Sequence, residues 1–151
     1  MTKKEVKCMK KINKVIKIIN IISVILVILM FCNLIVTCFL PSDTKDYFEK
    51  QIIESSKFDV TFLFICQILI LSVVNFKNLK NDNKEDKISV ATVIISIIIY
   101  SILMTMSIFA TILIKKCYIG IAVLSLLGII LQIIRLIFII QNNRQLNLKN
   151  N

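Results

Sequence analysis

The sequence predicts an all-α integral membrane protein: four transmembrane helices in a compact bundle, with both termini on the cytoplasmic side (N-in/C-in). Three observations predict this fold. Of the 151 residues, 57% are apolar. The apolar residues form four long runs, and the basic residues concentrate in segments that would share one side of a membrane. A helix rises about 1.5 Å per residue, so roughly 17–25 apolar residues cross a hydrocarbon core of about 30 Å.

Four runs meet that length. They are residues 18–40, 60–76, 88–114 and 118–140, of 23, 17, 27 and 23 residues. The first three contain no charged residue, and the fourth contains only Arg135. The second run is short, so its full crossing is left open. The remaining segments, 1–17, 41–57, 77–87 and a short tail, are too small to build a soluble core, and we expect a single membrane domain over residues 1–151.

Lysine and arginine near the spans predict the orientation. Seven lysines lie between Lys3 and Lys17, and with N-in topology the cytoplasmic segments carry 13 basic residues against five outside. The N-terminal lysines are expected to bind anionic lipid and not nucleic acid, because no aromatic residue or folded module accompanies them. Abundant Lys, Ile and Asn, which have A/T-rich codons, indicate the cytoplasmic membrane of a low-G+C bacterium.

The segments between spans predict how the helices connect. Pro41 ends the first helix, and residues 41–57 are interpreted as an outer loop. The alternative is a short interfacial helix with Tyr47, Phe48 and Ile52 on one side. Residues 77–87 form a polar inner loop. The very short connection at 115–117 predicts an antiparallel hairpin of spans three and four.

Spans three and four each carry one narrow polar stripe when residues are placed at 100° intervals. On span four the stripe is Tyr118, Ile121, Ser125, Gly128, Gln132 and Arg135. On span three it is Ser89, Thr92, Ser96, Tyr100, Ser107 and Thr111. These faces either pack against other helices or line a polar path. Stripes of serine and threonine are more often packing faces, so we favour the first interpretation.

Spans one and two carry broader polar faces, with Asn33 and Gln67 as their deepest amides. An amide without a partner in hydrocarbon costs several kcal/mol, so each is expected to face another helix. The candidate interhelical polar contacts are therefore Asn33, Gln67, Ser96, Tyr100, Ser107, Ser125, Gly128 and Gln132. Arg135 lies five residues before the end of span four. We expect it to extend to the interface, with a lipid phosphate as a candidate contact, and favour this over a role in substrate binding.

The sequence lacks the residues that acid–base catalysis, phosphate binding and metal binding usually require. The chain has no His, and all nine carboxylates lie outside the runs. Two glycines could not build a phosphate-binding loop, and the five cysteines include no C-x-x-C pair. Whether Cys38 and Cys117 form a disulfide is left open. We therefore predict no catalytic residue, no cofactor and no metal site, and a protein that is not an enzyme.

These predictions favour a small non-catalytic multi-pass membrane protein that acts through helix–helix contacts. Examples are an accessory subunit of a transporter, or a protein giving immunity to a membrane-active peptide. Its partner would be another membrane protein or a second copy. The alternative is a small channel or carrier that works as a homo-oligomer, and a membrane enzyme ranks last.

Overall fold

The computed structural model describes residues 3–39, 47–81, 90–114 and 118–150, which form four α-helices and, within these ranges, no strand. The helices are α1 (Lys3–Phe39), α2 (Tyr47–Asn81), α3 (Val90–Ile114) and α4 (Ile119–Asn150). Each contains a stretch long and apolar enough to cross a membrane: Lys11–Thr37, Phe58–Lys77, Val90–Ile112 and Ile119–Arg144. The prediction of an all-α protein with four such helices is confirmed.

Three of the helices extend beyond their apolar runs. The largest difference is in α2, which begins at Tyr47, inside the segment interpreted as an outer loop. No Gly or Pro occurs between Pro41 and Gly120, so no residue type interrupts the helix there. The side chains of Tyr47, Phe48 and Ile52 lie outside the described set, as do residues 115–117, and the interfacial alternative stays a prediction.

The helices pack in a ring in which each contacts its chain neighbours and α1 also contacts α4. Contacts between side chains on adjacent helices show that these helices are antiparallel. They are Gln132–Ser23 and Asn33–Gly120 between α1 and α4, and Gln67–Met106 and Asn75–Tyr100 between α2 and α3. The interface between α3 and α4 is the most extensive, and their short connection makes them antiparallel as well. The bundle therefore runs up-down-up-down.

We call the end where α1 begins and α4 finishes the terminal end, and the opposite end the distal end. The larger apolar cluster, here the main core, reaches from the middle of the bundle towards the distal end. Its buried members are Val27, Met30, Leu34, Phe64, Ile68, Leu71, Tyr100, Leu103, Ala110, Tyr118 and Ile121. A smaller cluster, the terminal cluster, consists of Ile12, Ile16, Val93 and Ile139. The outer surface is apolar too, as Val36, Val73 and Ile112 illustrate at 60%, 68% and 70% exposure.

Candidate functional site: a buried polar layer

The polar stripe predicted on span four faces the interior of a single copy of the chain. Ser125, Gln132 and Arg135 are all 0% exposed, and Gly128 is buried between them. The same face of α4 continues to Asn142, which is 4% exposed. The polar residues of this stripe therefore point at the other helices and away from the outer surface.

Gln132 makes a hydrogen bond between two helices. Its Nε2 donates to Ser23 Oγ of α1 over 3.1 Å, and both side chains are fully buried. The Ser23 hydroxyl in turn donates to the carbonyl oxygen of Ile19 over 2.9 Å. The Ser23 hydroxyl thus accepts a hydrogen bond from α4 and donates one within α1. This pair of bonds fixes the register of the two helices at this position.

Tyr100 links α2, α3 and α4 about one turn closer to the distal end. Asn75 Nδ2 of α2 donates to the Tyr100 hydroxyl oxygen over 3.5 Å. The ring of Tyr100 packs directly on the backbone of Gly128, where an added Cβ would overlap ring atoms. Gly128 lies one turn before Gln132 on α4, so the two interhelical hydrogen bonds lie about one helical turn apart.

One turn further towards the terminal end, the same faces carry Asn20 on α1 and Arg135 on α4. Asn20 precedes Ser23 and Arg135 follows Gln132, and because α1 and α4 are antiparallel both lie on the terminal side of the Ser23–Gln132 bond. On α3, Ser96 lies one turn before Tyr100 and is 0% exposed. We call this set the polar layer. Its members come from all four helices: Asn20, Ser23, Asn75, Ser96, Tyr100, Gln132 and Arg135.

The position of Arg135 differs from the sequence-based expectation. The side chain was expected to extend to the interface, but it is 0% exposed and lies inside the bundle. The reason is that α4 continues to Asn150 and α1 begins at Lys3, so helices surround the guanidinium on its terminal side. Ile139, one turn further along α4, is also fully buried. The contact of Arg135 with a lipid phosphate stays a prediction.

Several amide atoms of the polar layer have no hydrogen-bond partner within the described part of the chain. Asn20 is 1% exposed, and both its Nδ2 and its Oδ1 are unpartnered. The Oδ1 of Asn75 and the Oε1 of Gln132 are unpartnered as well, although the nitrogens of the same amides are bonded. The layer therefore contains more hydrogen-bonding capacity than its own side chains use.

Two further predicted contacts lie closer to the distal end. Asn33 packs on α4, where a Cβ built at Gly120 would lie 2.5 Å from Asn33 Nδ2. Gln67 Nε2 of α2 lies 3.1 Å from the sulfur of Met106 on α3, to which it donates. Both amides are only half-buried, unlike those of the polar layer.

The hydroxyl groups of the predicted serines donate hydrogen bonds to carbonyl oxygens of their own helices. Ser96 Oγ donates to the Thr92 carbonyl over 3.0 Å, and Ser125 Oγ to the Ile121 carbonyl over 2.7 Å. The Ser107 hydroxyl donates to the Leu103 carbonyl in the same way. These hydroxyls lie at helix interfaces, but their protons bond back along α3 and α4 and not across to a neighbour.

The arrangement offers donors, acceptors and one cation, but no group suited to proton abstraction. The carboxylates with described side chains are Glu54 and Asp59, and both are exposed. Among the described residues, no three metal-ligating side chains lie together. Cys32 and Cys66 are free thiols, whereas the Cys38 side chain and Cys117 lie outside the described set, so their pairing stays a prediction.

The candidate contacts chosen from the sequence did not include Asn20, Asn75 or Asn142. Asn142 follows Arg135 by two turns on the same face, and the stripe would have included it had the helix been extended past residue 140. The broad polar faces of spans one and two gave no comparable signal for Asn20 and Asn75.

Comparison of the chain with protein-family models, with curated proteins and with solved structures found no match.

Proposed function

We propose that the chain is a multi-pass protein of the cytoplasmic membrane of a low-G+C bacterium, with N-in/C-in topology. The charge distribution supports this orientation. Lys11, Lys14, Lys17 and Arg144 are exposed at the terminal end, which would be cytoplasmic, while the exposed carboxylates Glu54 and Asp59 belong to the distal part of α2.

Reporter fusions test the orientation. A periplasm-active reporter after Thr44 and a cytoplasm-active reporter after Asn83 or Asn151 are expected to be active, and the reciprocal fusions inactive. If α2 did not cross, the reporters after Asn83 and Asn151 would both exchange their behaviour, and the four-span topology would be wrong.

Within that membrane we propose a non-catalytic protein that acts through helix–helix contacts with a partner, as an accessory subunit or an immunity protein does. The observation that carries this proposal is the division between interior and exterior. Most polar side chains in the apolar stretches of α3 and α4 face the interior of one copy, with Thr105 as an exposed exception, and the outer faces of all four helices are mostly apolar there. A partner would therefore meet an apolar surface within the membrane, and recognition would rest on shape.

Site-specific photocrosslinking tests this surface. A benzophenone amino acid can replace Phe62 or Phe109, which are 59% and 64% exposed. The matched control is Phe64 on the same helix as Phe62, which is 0% exposed. After irradiation in native membranes, an outward position is expected to capture one stoichiometric membrane protein, and position 64 to capture none.

The outcomes separate the hypotheses. A single foreign partner at an outward position supports an accessory or immunity role, and the identity of that partner names the process. Capture of lipid alone from every outward position, together with a monomer on purification, would contradict the proposal.

The runner-up is a channel or carrier, and one observation favours it: Arg135 and several amides lie inside the bundle. Because both stripes are buried within one copy, any path would run through that copy and not between copies. Flux of ions or small polar solutes into vesicles reconstituted with the protein tests this function. Flux that R135Q abolishes would establish it.

A further inference from the structure

The polar layer lies between two apolar regions. On its distal side are Met30 and Leu34 of the main core, 0% and 1% exposed. On its terminal side is the terminal cluster, in which Ile16 and Ile139 are 1% and 0% exposed. The polar layer is thus flanked on both sides by buried aliphatic side chains.

Several hydrogen-bonding groups of the polar layer have no partner among the described residues. Neither amide atom of Asn20 has one, and the same holds for Gln132 Oε1, one turn away across the α1–α4 interface. Asn75 Oδ1 adds a further acceptor from α2. These four atoms are three acceptors and one donor, drawn from three helices.

Burying these amide groups without hydrogen-bond partners destabilises the folded state. An amide buried without a hydrogen bond is unfavourable by about 1–3 kcal/mol in proteins, and more in a hydrocarbon-like setting. Water is the ligand that meets this need, because it donates two hydrogen bonds and accepts two. Buried water molecules typically make about three hydrogen bonds to otherwise unsatisfied polar groups. A charged side chain in a membrane bundle is also commonly hydrated.

We propose that the polar layer is an internal hydration site, in which a small cluster of water molecules bridges Asn20 of α1, Gln132 of α4 and Asn75 of α2. The water also contacts the guanidinium of Arg135. The terminal cluster and the main core separate this water from bulk solvent on either side. The site is independent of any partner on the outer surface.

Radiolytic footprinting of the full-length protein in lipid nanodiscs tests the proposal without a mutation. X-ray pulses convert water to hydroxyl radicals where the water lies, so buried side chains next to bound water are oxidised. Tyr100 belongs to the polar layer, and Met30 is an equally buried control two turns from Ser23 on α1. Oxidation of Tyr100 with Met30 spared is expected. Tyr100 as unreactive as Met30 would overturn the proposal, because methionine is intrinsically an easily oxidised residue.

A second measurement is whether one substitution, N20L, raises or lowers the Tm. N20L replaces the amide with an apolar side chain that has the same number of heavy atoms and the same branching. In a hydrated site it displaces water that also serves Gln132 and Asn75, so the Tm is expected to fall, by about 2–4 °C for each kcal/mol lost, and Tyr100 oxidation to be lost. In a dry site it removes an unpartnered amide, and the Tm would rise. N13L, at an exposed position of the same helix, corrects for the exchange itself.

Discussion

The main core and the polar layer are neighbouring regions of one bundle that share Tyr100, and they hold the helices together differently. In the main core the rings of Phe64 and Tyr118 meet with centroids 5.4 Å apart, and the hydroxyls of Ser107 and Ser125 bond back to their own helices. In the polar layer, Gln132 reaches across to another helix.

This difference suggests separate roles for apolar packing, which stabilises the bundle, and for interhelical hydrogen bonds, which set the helix register. Lipid tails are as apolar as leucine, so helices in a membrane gain little from burying apolar surface and depend on close contact. The main core supplies that contact over most of the bundle. A side-chain hydrogen bond adds less free energy, but it forms at one register only. We therefore infer that the main core provides most of the stability and that the polar layer selects the alignment of the helices.

The largest expected effect is the loss of a main-core ring. Phe64→Ala is expected to lower the free energy of unfolding by about 3 kcal/mol, the low end of the range for phenylalanine truncation in water-soluble cores, because the proposed surroundings of the bundle are lipid. Phe62→Ala on the same helix removes a ring that is 59% exposed and is expected to change little. Unfolding in mixed micelles measures both. Equal effects would show that packing at position 64 is not special.

The two glycines provide the next comparison. Gly128→Ala places a Cβ in the ring of Tyr100, which is fully enclosed, and is expected to cost about 1–3 kcal/mol. Gly120→Ala meets the side-chain end of Asn33, which is half-buried and can rotate away. It is therefore expected to cost less. Reversal of that order in unfolding measurements would place the tighter helix contact at the distal end.

Much of this organisation was predictable from the sequence because long apolar helices leave simple signals. Four apolar runs predicted four helices, and the 100° spacing predicted the face of α4 that Ser125, Gly128 and Gln132 share. Helix ends were predicted less well. The apolar run marks hydrocarbon length, whereas a helix continues through polar residues until something interrupts it, which is why α2 begins at Tyr47 and α4 extends to Asn150.

The depth of Arg135 could not be predicted by the same reasoning. A position near the end of an apolar run indicates that the interface is close along the helix axis, but it does not say what surrounds the helix. Burial of the guanidinium depends on α1 packing along α4 beyond the run, which is a property of two helices. The pairing of Asn75 with Tyr100 is likewise a tertiary contact with no local signal.

The smallest effect tests the assignment of register to the polar layer. A double-mutant cycle of Gln132→Leu and Ser23→Ala is expected to give a coupling of about 0.6 kcal/mol, and not more than roughly 1.7 kcal/mol, the range measured between membrane helices. Ser125→Ala, whose hydroxyl bonds within α4, is expected to show no coupling to Ser23→Ala.

Because the coupling free energy is modest, the alignment of α1 and α4 is the more informative quantity to measure. Disulfide crosslinking between cysteines scanned along α1 and α4 around Ser23 and Gln132 reports the alignment of the two helices in a background without the native thiols. If Gln132→Leu broadens the set of crosslinked positions while barely changing stability, the hydrogen bond selects register. An unchanged crosslinking pattern would assign register to packing of the main core alone.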